Sequence, residues 1–294
     1  MRRVLPGILE RIDPVGEPAP VVFDSPHSGT DYPADFDHRI ERAHLRQTED
    51  AFVDELFAAA PAAGAVLLCA LFPRCYVDPN RAPDDLDPEL IDGAWPQRLN
   101  PGEKSRLGVG LIPMREPGGP VYDRKLSVVE ARRRIERFYW PYHLELERAL
   151  DAVYRSIGAV WHVNCHSMPA VSNSVAPEGP GVRRPDFCLG TRDGTTCERD
   201  FVHSVRDFLV ALGYVVTIDN PFKGVELVRR YSAPERGRHS LQIEINRALY
   251  MNEAQLERSA GFGELKANLD ALVRHVCAYA RERAAGGVLG TAAE

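Results

Sequence analysis

The sequence lacks any apolar run of the about 18 residues that a membrane-spanning helix needs, so the membrane is not an expected partner. Its start, MRRVLPGILERIDP, has two arginines but neither the long apolar stretch nor the small-residue cleavage site of a secretory signal. Both absences point to the cytoplasm. An excess of positive charge is missing as well: 36 Lys and Arg stand against 42 Asp and Glu, a net charge of −6. Phosphate backbones are bound by Lys/Arg-rich faces, so nucleic acid is not an expected partner, and Arg132-Arg133-Arg134 reads as a solvated helix face. The six cysteines form no Cys-x-x-Cys pair, which removes a zinc knuckle or a thioredoxin-like site and leaves reduced, buried thiols. There is no Gly-x-x-x-x-Gly-Lys-Ser/Thr loop and no Gly-x-Ser-x-Gly elbow, and Cys165 is too strained a neighbour of His166 for a Cys–His dyad. Nucleotide binding and serine or cysteine hydrolysis therefore lack support.

What remains is an ordinary globular composition, 44% hydrophobic and 27% charged over 294 residues. A single domain over 1–294 is expected, with an ordered core from about 18 to 282. Such a chain buries roughly three quarters of its unfolded surface, so a metal would serve chemistry rather than hold the fold together. Apolar segments of strand length alternate with helical patterns, the signature of an α/β layer fold. Strands are expected over 19–23, 64–70, 75–78, 159–164, 186–190, 214–218 and 240–245, and helices over 50–60, 127–157, 195–212 and about 253–283. Ser127 and Glu130 match a capping box. Residues 79–120, dense in Pro, Gly and Asp, are expected to form an active-site flap or wall. A second loop spans 169–185, and the Gly/Ala-rich tail from 284 is expected to fray.

Two of the nine histidines follow expected strands and stand among turn formers: His27 in SPHSG and His166 in NCHSM. Each alone is as readily a hydrogen-bonded structural residue as a ligand. Two on neighbouring strand ends suit a divalent ion, zinc above all, in the crevice where open α/β sheets place their sites. Catalytic zinc takes His and carboxylate ligands and keeps one position for water. The helix start TEDAFVDEL offers Glu49, Asp50 and Asp54. Asp50 is the expected third ligand and Glu49 its competitor, although these acids could merely complement the helix dipole. Glu244 in SLQIEIN faces away from Ile243 and Ile245, as a general base or as a sheet-surface partner of Lys or Arg. PRCYVDPNR supplies Arg74, Asp78, Asn80 and Arg81. Arginine forks grip carboxylates and stabilise oxyanions, which suggests an acidic small molecule, unless Asp78 and Arg81 simply pair within the loop. FKGVELVRRYSAPERGRH adds Lys223, Arg229, Arg230 and His239, closing on a substrate or standing in solvent.

Taken together, SPHSG, EDAFVDEL, YVDPNRAPDD, NCHSM, DFCLGTRDGTTC, PFKGVELVRRYS and HSLQIEINRALYM, collinear over roughly residues 18 to 282, resemble the N-formylglutamate amidohydrolase family. The resemblance implies a three-layer α/β/α fold with a mixed central sheet, similar to the zinc carboxypeptidases, aspartoacylase and phosphorylase/hydrolase-like proteins. It implies zinc-dependent hydrolysis of N-formyl-L-glutamate to formate and L-glutamate, a late step of histidine degradation. On that resemblance one zinc sits on His27, Asp50 and His166. Asn80 with Arg81, aided by Arg229 or Arg230, holds the substrate carboxylates, Arg74 serves the oxyanion and Glu244 is the base. One departure stands out: the zinc carboxypeptidases carry their acidic ligand where this chain has Thr30, which leaves the choice between Asp50 and Glu49 open. The alternatives are an amidase for another N-acyl amino acid and a noncatalytic small-molecule binder on the same fold.

Overall fold

The apolar runs pair into one eight-stranded sheet in the computed structural model, which describes residues 1–116, 118–173, 176 and 178–291. Its strands are β1 (Arg2–Leu5), β2 (Leu9–Ile12), β3 (Val21–Ser25), β4 (Val66–Ala70), β5 (Val160–Met168), β6 (Phe187–Gly190), β7 (Val216–Ile218) and β8 (Arg238–Asn246). They lie in the order β1-β2-β4-β3-β5-β8-β6-β7. The middle, β4, β3, β5 and β8, is parallel. β1 and β2 add antiparallel at one side, and β6 runs antiparallel to β8 at the other, so the sheet is mixed. The helices are α1 (Arg42–Arg46), α2 (Val53–Leu56), α3 (Glu103–Arg106), α4 (Val128–Arg134), α5 (Trp140–Ile157), α6 (Arg199–Ala211), α7 (Glu226–Tyr231) and α8 (Phe262–Thr291).

Strand side chains alternate between faces, and the two faces bury separate cores. Val21, Phe23, Leu67, Trp161 and Ile243 pack with α2, α6 and α8. Val22, Val66 and Leu68 pack with α5, α7 and apolar residues of the 79–120 segment. This is the expected three-layer α/β/α arrangement. Because β3, β5 and β8 are parallel, their carboxyl ends gather on one edge, where Asp24 lies opposite Asn164 and His166 opposite Glu244.

Several elements differ from expectation for local reasons. The expected strand over 75–78 is a turn, held by Tyr76 N–H to Pro73 O and by the Asp78 carboxylate on Asn80 N–H. The helix expected over 50–60 is confined to α2, because Asp50 N–H bonds His27 O and Phe52 takes a left-handed φ of 65°. β5 continues four residues past the expected end, so His166 sits inside a paired strand rather than beyond it. The stretch 127–157 is helical with a π-type turn over Ile135–Tyr139, just ahead of Pro141, whose missing N–H and ring disrupt regular α-helical bonding. Ser127 caps it through Glu130 N–H, but the Glu130 carboxylate turns to Arg124 and Arg134 instead of completing the box. A small hairpin, Met251–Asn252 with Glu257–Arg258, delays the last helix to Phe262. That helix reaches Thr291, so the tail is helical where fraying was expected, and 292–294 lie outside the described residues. So do residue 117 of the expected flap and residues 174, 175 and 177 of the second loop. The hairpin of β1 and β2, ahead of the expected core, extends the sheet edge.

Candidate active site

On β5, Trp161, Val163 and Cys165 enter the apolar core, which turns His162, Asn164 and His166 to the other face. On β8, Leu241, Ile243 and Ile245 do the same for Ser240, Gln242 and Glu244. All six polar side chains are buried and need partners. The strand register supplies them. His162 lies between Ser240 Oγ (2.6 Å) and Asp24 Oδ1 (2.8 Å), and Asp24 also accepts from Tyr142 (2.7 Å) and Asn164 (2.8 Å). Burial alone would raise the Asp24 carboxyl, but His162 and these hydrogen bonds hold it below its ordinary value.

At the top of this polar stripe His27, Asp50 and His166 converge, each with one ligand atom within 4.8 Å of the others. Asp50 Oδ2 lies 3.0 Å from His166 Nδ1 and 3.4 Å from His27 Nδ1. The outer nitrogens are anchored elsewhere: His27 Nε2 on Asp78 Oδ1 (2.7 Å) and His166 Nε2 on Asn164 Oδ1 (2.7 Å). Asp78 can only accept, which puts the His27 proton on Nε2 and leaves its Nδ1 lone pair facing inward, as metal-binding imidazoles require, while His166 Nε2 meets both the Asn164 oxygen and the Asn80 amide nitrogen at 3.1 Å. His27 Nδ1 is buried without a hydrogen-bond partner. Burial lowers the pKa of His166 and His27 adds to that, against the pull of Asp50, which favours the neutral imidazole a metal needs. The two histidines together hold the Asp50 carboxyl well below its ordinary value despite its burial. Arg247 fixes the second Asp50 oxygen at 3.1 Å. Donor type, convergence and an orphaned nitrogen all fit a divalent cation. Glu49 points away, to Tyr32 (2.7 Å) and Arg46 (3.2 Å). Between the two competing acids, the geometry places Asp50 with the histidines.

The cluster opens into a cavity of about 910 Å³ whose walls include Arg74, Asn80, Arg81 and Glu244. Its flank is the 79–120 segment, through residues such as Lys104 and Glu116. Glu244 accepts from Gln242 (2.9 Å). Burial and the Asp50 charge push its carboxyl up to about 8, opposed by Arg74, Lys104 and Arg247. Arg74 donates to Asp78 (2.7 Å), which ties it beside His27. The Arg81 guanidinium is buried with no hydrogen bond from its side chain among the described residues, and its ion pair to Asp78 is long, 3.8 Å. Asp78 therefore serves His27 and Arg74 first and does not close the loop on Arg81. Asn80 is fixed by Leu227 N–H on its oxygen (2.9 Å), with its amide nitrogen 3.1 Å from His166. Arg229 and Arg230 are not brought to the cavity. Arg229 turns to Glu226 at 2.7 Å, and Arg230 lies over the Trp140 ring, which removes the contact with substrate expected of them. Lys223 reaches the cavity but pairs with Asp193, and His239 stacks on Trp161 away from it.

Comparison with known proteins shows the family of the chain. The model of the N-formylglutamate amidohydrolase family matches residues 19–251. The chain belongs to that family. It is similar to the N-formylglutamate deformylase of Pseudomonas putida, 28% identical over 240 residues, covering 80% of this chain and 83% of the relative. The deformylase of Pseudomonas aeruginosa is also 28% identical, over 90% of this chain and 95% of its own. The crystal structure of N-formylglutamate amidohydrolase from Ralstonia eutropha JMP134 superposes with a TM-score of 0.90 at 46% identity, covering 94% of this chain and 99% of that one.

In this amidohydrolase-family chain, four residues around the site escaped the sequence reading. Asn164 anchors His166, Arg247 anchors Asp50, Gln242 touches Glu244, and Lys104 enters the cavity from the flap. Two of them had a signal. The alternations His162-x-Asn164-x-His166 and Ser240-x-Gln242-x-Glu244 place polar residues on one strand face, each of Asn164, Gln242 and Glu244 between apolar neighbours, and only Glu244 carries a charge that singles it out. Arg247 and Lys104 had none, since each meets the site through tertiary contacts alone.

Proposed function

We propose that the chain is a metal-dependent amidohydrolase that converts N-formyl-L-glutamate to formate and L-glutamate. The observation that carries this reading is the convergence of His27, Asp50 and His166, with both Nδ1 atoms turned to one carboxylate oxygen, beside Glu244. His27, Asp50 and His166 would hold one divalent ion, zinc by the chemistry of the donor set. When bound, such an ion acts as a Lewis acid on the amide carbonyl and lowers the pKa of water. Glu244 takes a proton from the attacking water and returns it to the glutamate nitrogen as the C–N bond breaks. Burial and the Asp50 charge raise its carboxyl, which suits the second half of that exchange, the return of the proton to the leaving nitrogen. Arg74 is the donor for the developing oxyanion, and Arg81, without a close partner of its own, takes a substrate carboxylate. Asn80 shapes the wall between Arg81 and His166. The same reading places the reaction in the cytoplasm, within histidine degradation. No helix among the described residues is long and apolar enough to cross a membrane, which accords with that setting.

A second reading has one observation in its favour. A cavity of about 910 Å³ is at the upper end for drug-sized ligands, and N-formylglutamate is smaller than these. A larger N-acyl amino acid would then be the substrate. Formate and amino-acid release by the purified protein from a panel of N-formyl and N-acyl amino acids separates the two. Metal-dependent formate release, fastest with N-formyl-L-glutamate, is the expected result. Preferential cleavage of a longer acyl group favours the second reading, and turnover that is indifferent to chelators contradicts both.

A further inference from the structure

The substrate proposed above carries two carboxylates, and Arg81 accounts for one. Arg229 and Arg230 stand away from the cavity, so the second partner must be another cation on its wall. Those available are Arg74, Lys104, Arg115, Lys223 and Arg247. Arg247 is fully engaged: it donates to Ser167, to the backbone oxygens of Gln47 and Glu49, and to Asp50. Arg74 is held by Asp78 and Lys223 by Asp193. Arg115 is exposed to solvent. Lys104 remains. It is half-buried, its ammonium makes no ion pair or hydrogen bond among the described residues, and it lies 5.7 Å from the centre of the Phe222 ring, which also lines the cavity.

The backbone holding Lys104 is well fixed. Gly102 N–H and Ser105 Oγ both bond Asp85, at 2.7 and 2.8 Å, and Val109 N–H closes on Lys104 O at 2.9 Å. The anchored turn fixes where the Lys104 side chain leaves the backbone at the cavity wall. Burial lowers its pKa to about 8, and the Arg81 and Arg74 charges add to this, while Glu244 and Asp78 oppose it. Three cations facing one cavity repel one another, and a dicarboxylate entering between them relieves that repulsion.

We propose that Lys104 reads the side-chain carboxylate of the amino acid and so sets the preference for acidic over neutral substrates. This rests on the amidohydrolase reading, but its test does not need turnover. Calorimetry of L-glutamate and L-glutamine binding to zinc-loaded wild type, Lys104→Met and Lys104→Arg measures the preference directly. The expected result is a wild-type preference for glutamate of about tenfold or more, the usual value of a charge-assisted contact. Lys104→Met loses that preference with glutamine affinity unchanged, and Lys104→Arg keeps most of it. Equal weakening of both ligands in Lys104→Met, a preference that survives it, or a wild type without preference overturns the assignment. Selective glutamate binding without formate release from N-formylglutamate would instead overturn the proposed reaction and leave Lys104 in its role.

Discussion

The two faces of β5 and β8 are built from alternate residues of the same nine-residue strands, yet they do opposite work. One face, with Trp161, Val163, Leu241 and Ile243, is an apolar core under α6 and α8. The other, with His162, Asn164, His166, Gln242 and Glu244, is equally buried but polar. Apolar burial is tolerant of shape and contributes stability at roughly 25 cal/mol per Å². Buried polar groups contribute little net stability and are costly when unpaired. The polar face is therefore a chain in which each group fixes the next: Asp24 holds Asn164, Asn164 holds His166, and His166 meets Asp50. What it provides is orientation at the carboxyl end of the sheet, where the cavity opens.

Substitutions on the two faces should separate these roles. Glu244→Gln should lower turnover by at least about a hundredfold while metal content and melting temperature stay near wild type. Near-normal turnover would remove Glu244 as the base. Asn164→Ala, one step behind the cluster, should weaken metal affinity by about 10–100-fold, as loss of an outer hydrogen bond to a ligating histidine does. Titration with a competing chelator reads this, and unchanged affinity would mean that the orientation of His166 does not depend on Asn164. A pH series gives a smaller effect. Lys104 is charged below about 8, so the ratio of kcat/KM for N-formylglutamate over N-formylglutamine should be highest near neutral pH. It should fall up to about tenfold one pH unit above that value, by simple titration. The ratio cancels any contribution of Glu244 common to both substrates, and a ratio constant to pH 9 would argue against Lys104. On the apolar face, Ile243→Val should cost only about 1 kcal/mol of stability, read by denaturant unfolding, with turnover and metal affinity intact. A fall in turnover there would show that the two faces are not separable.

The α/β alternation and the buried central strands were legible in the sequence because apolar runs report burial directly, whereas the three-layer order came from the family resemblance. The two histidines were legible for a different reason, because they follow expected strands and stand among turn formers. Asp50 could not be told from Glu49, since adjacent residues at a helix start differ only in direction. That direction is set by Tyr32 and Arg46 on one side and by the histidines on the other. Arg229 and Arg230 misled because Glu226, a turn away on α7, is a closer partner than the cavity. The helix expected over 50–60 failed where Phe52 turns left-handed, a conformation that composition does not announce. The flap was recognisable as irregular, but which of its cations faces inward depends on the anchoring of its turn by Asp85.

The role of the polar face is tested most directly by metal analysis with X-ray absorption on purified wild type, Asp50→Asn and Glu49→Gln. The expected result is one zinc per chain on two imidazole nitrogens and a carboxylate oxygen at about 2.0–2.2 Å, lost in Asp50→Asn and kept in Glu49→Gln. Zinc retained with the same ligand set in Asp50→Asn, or full formate-releasing activity in protein free of metal, would contradict it.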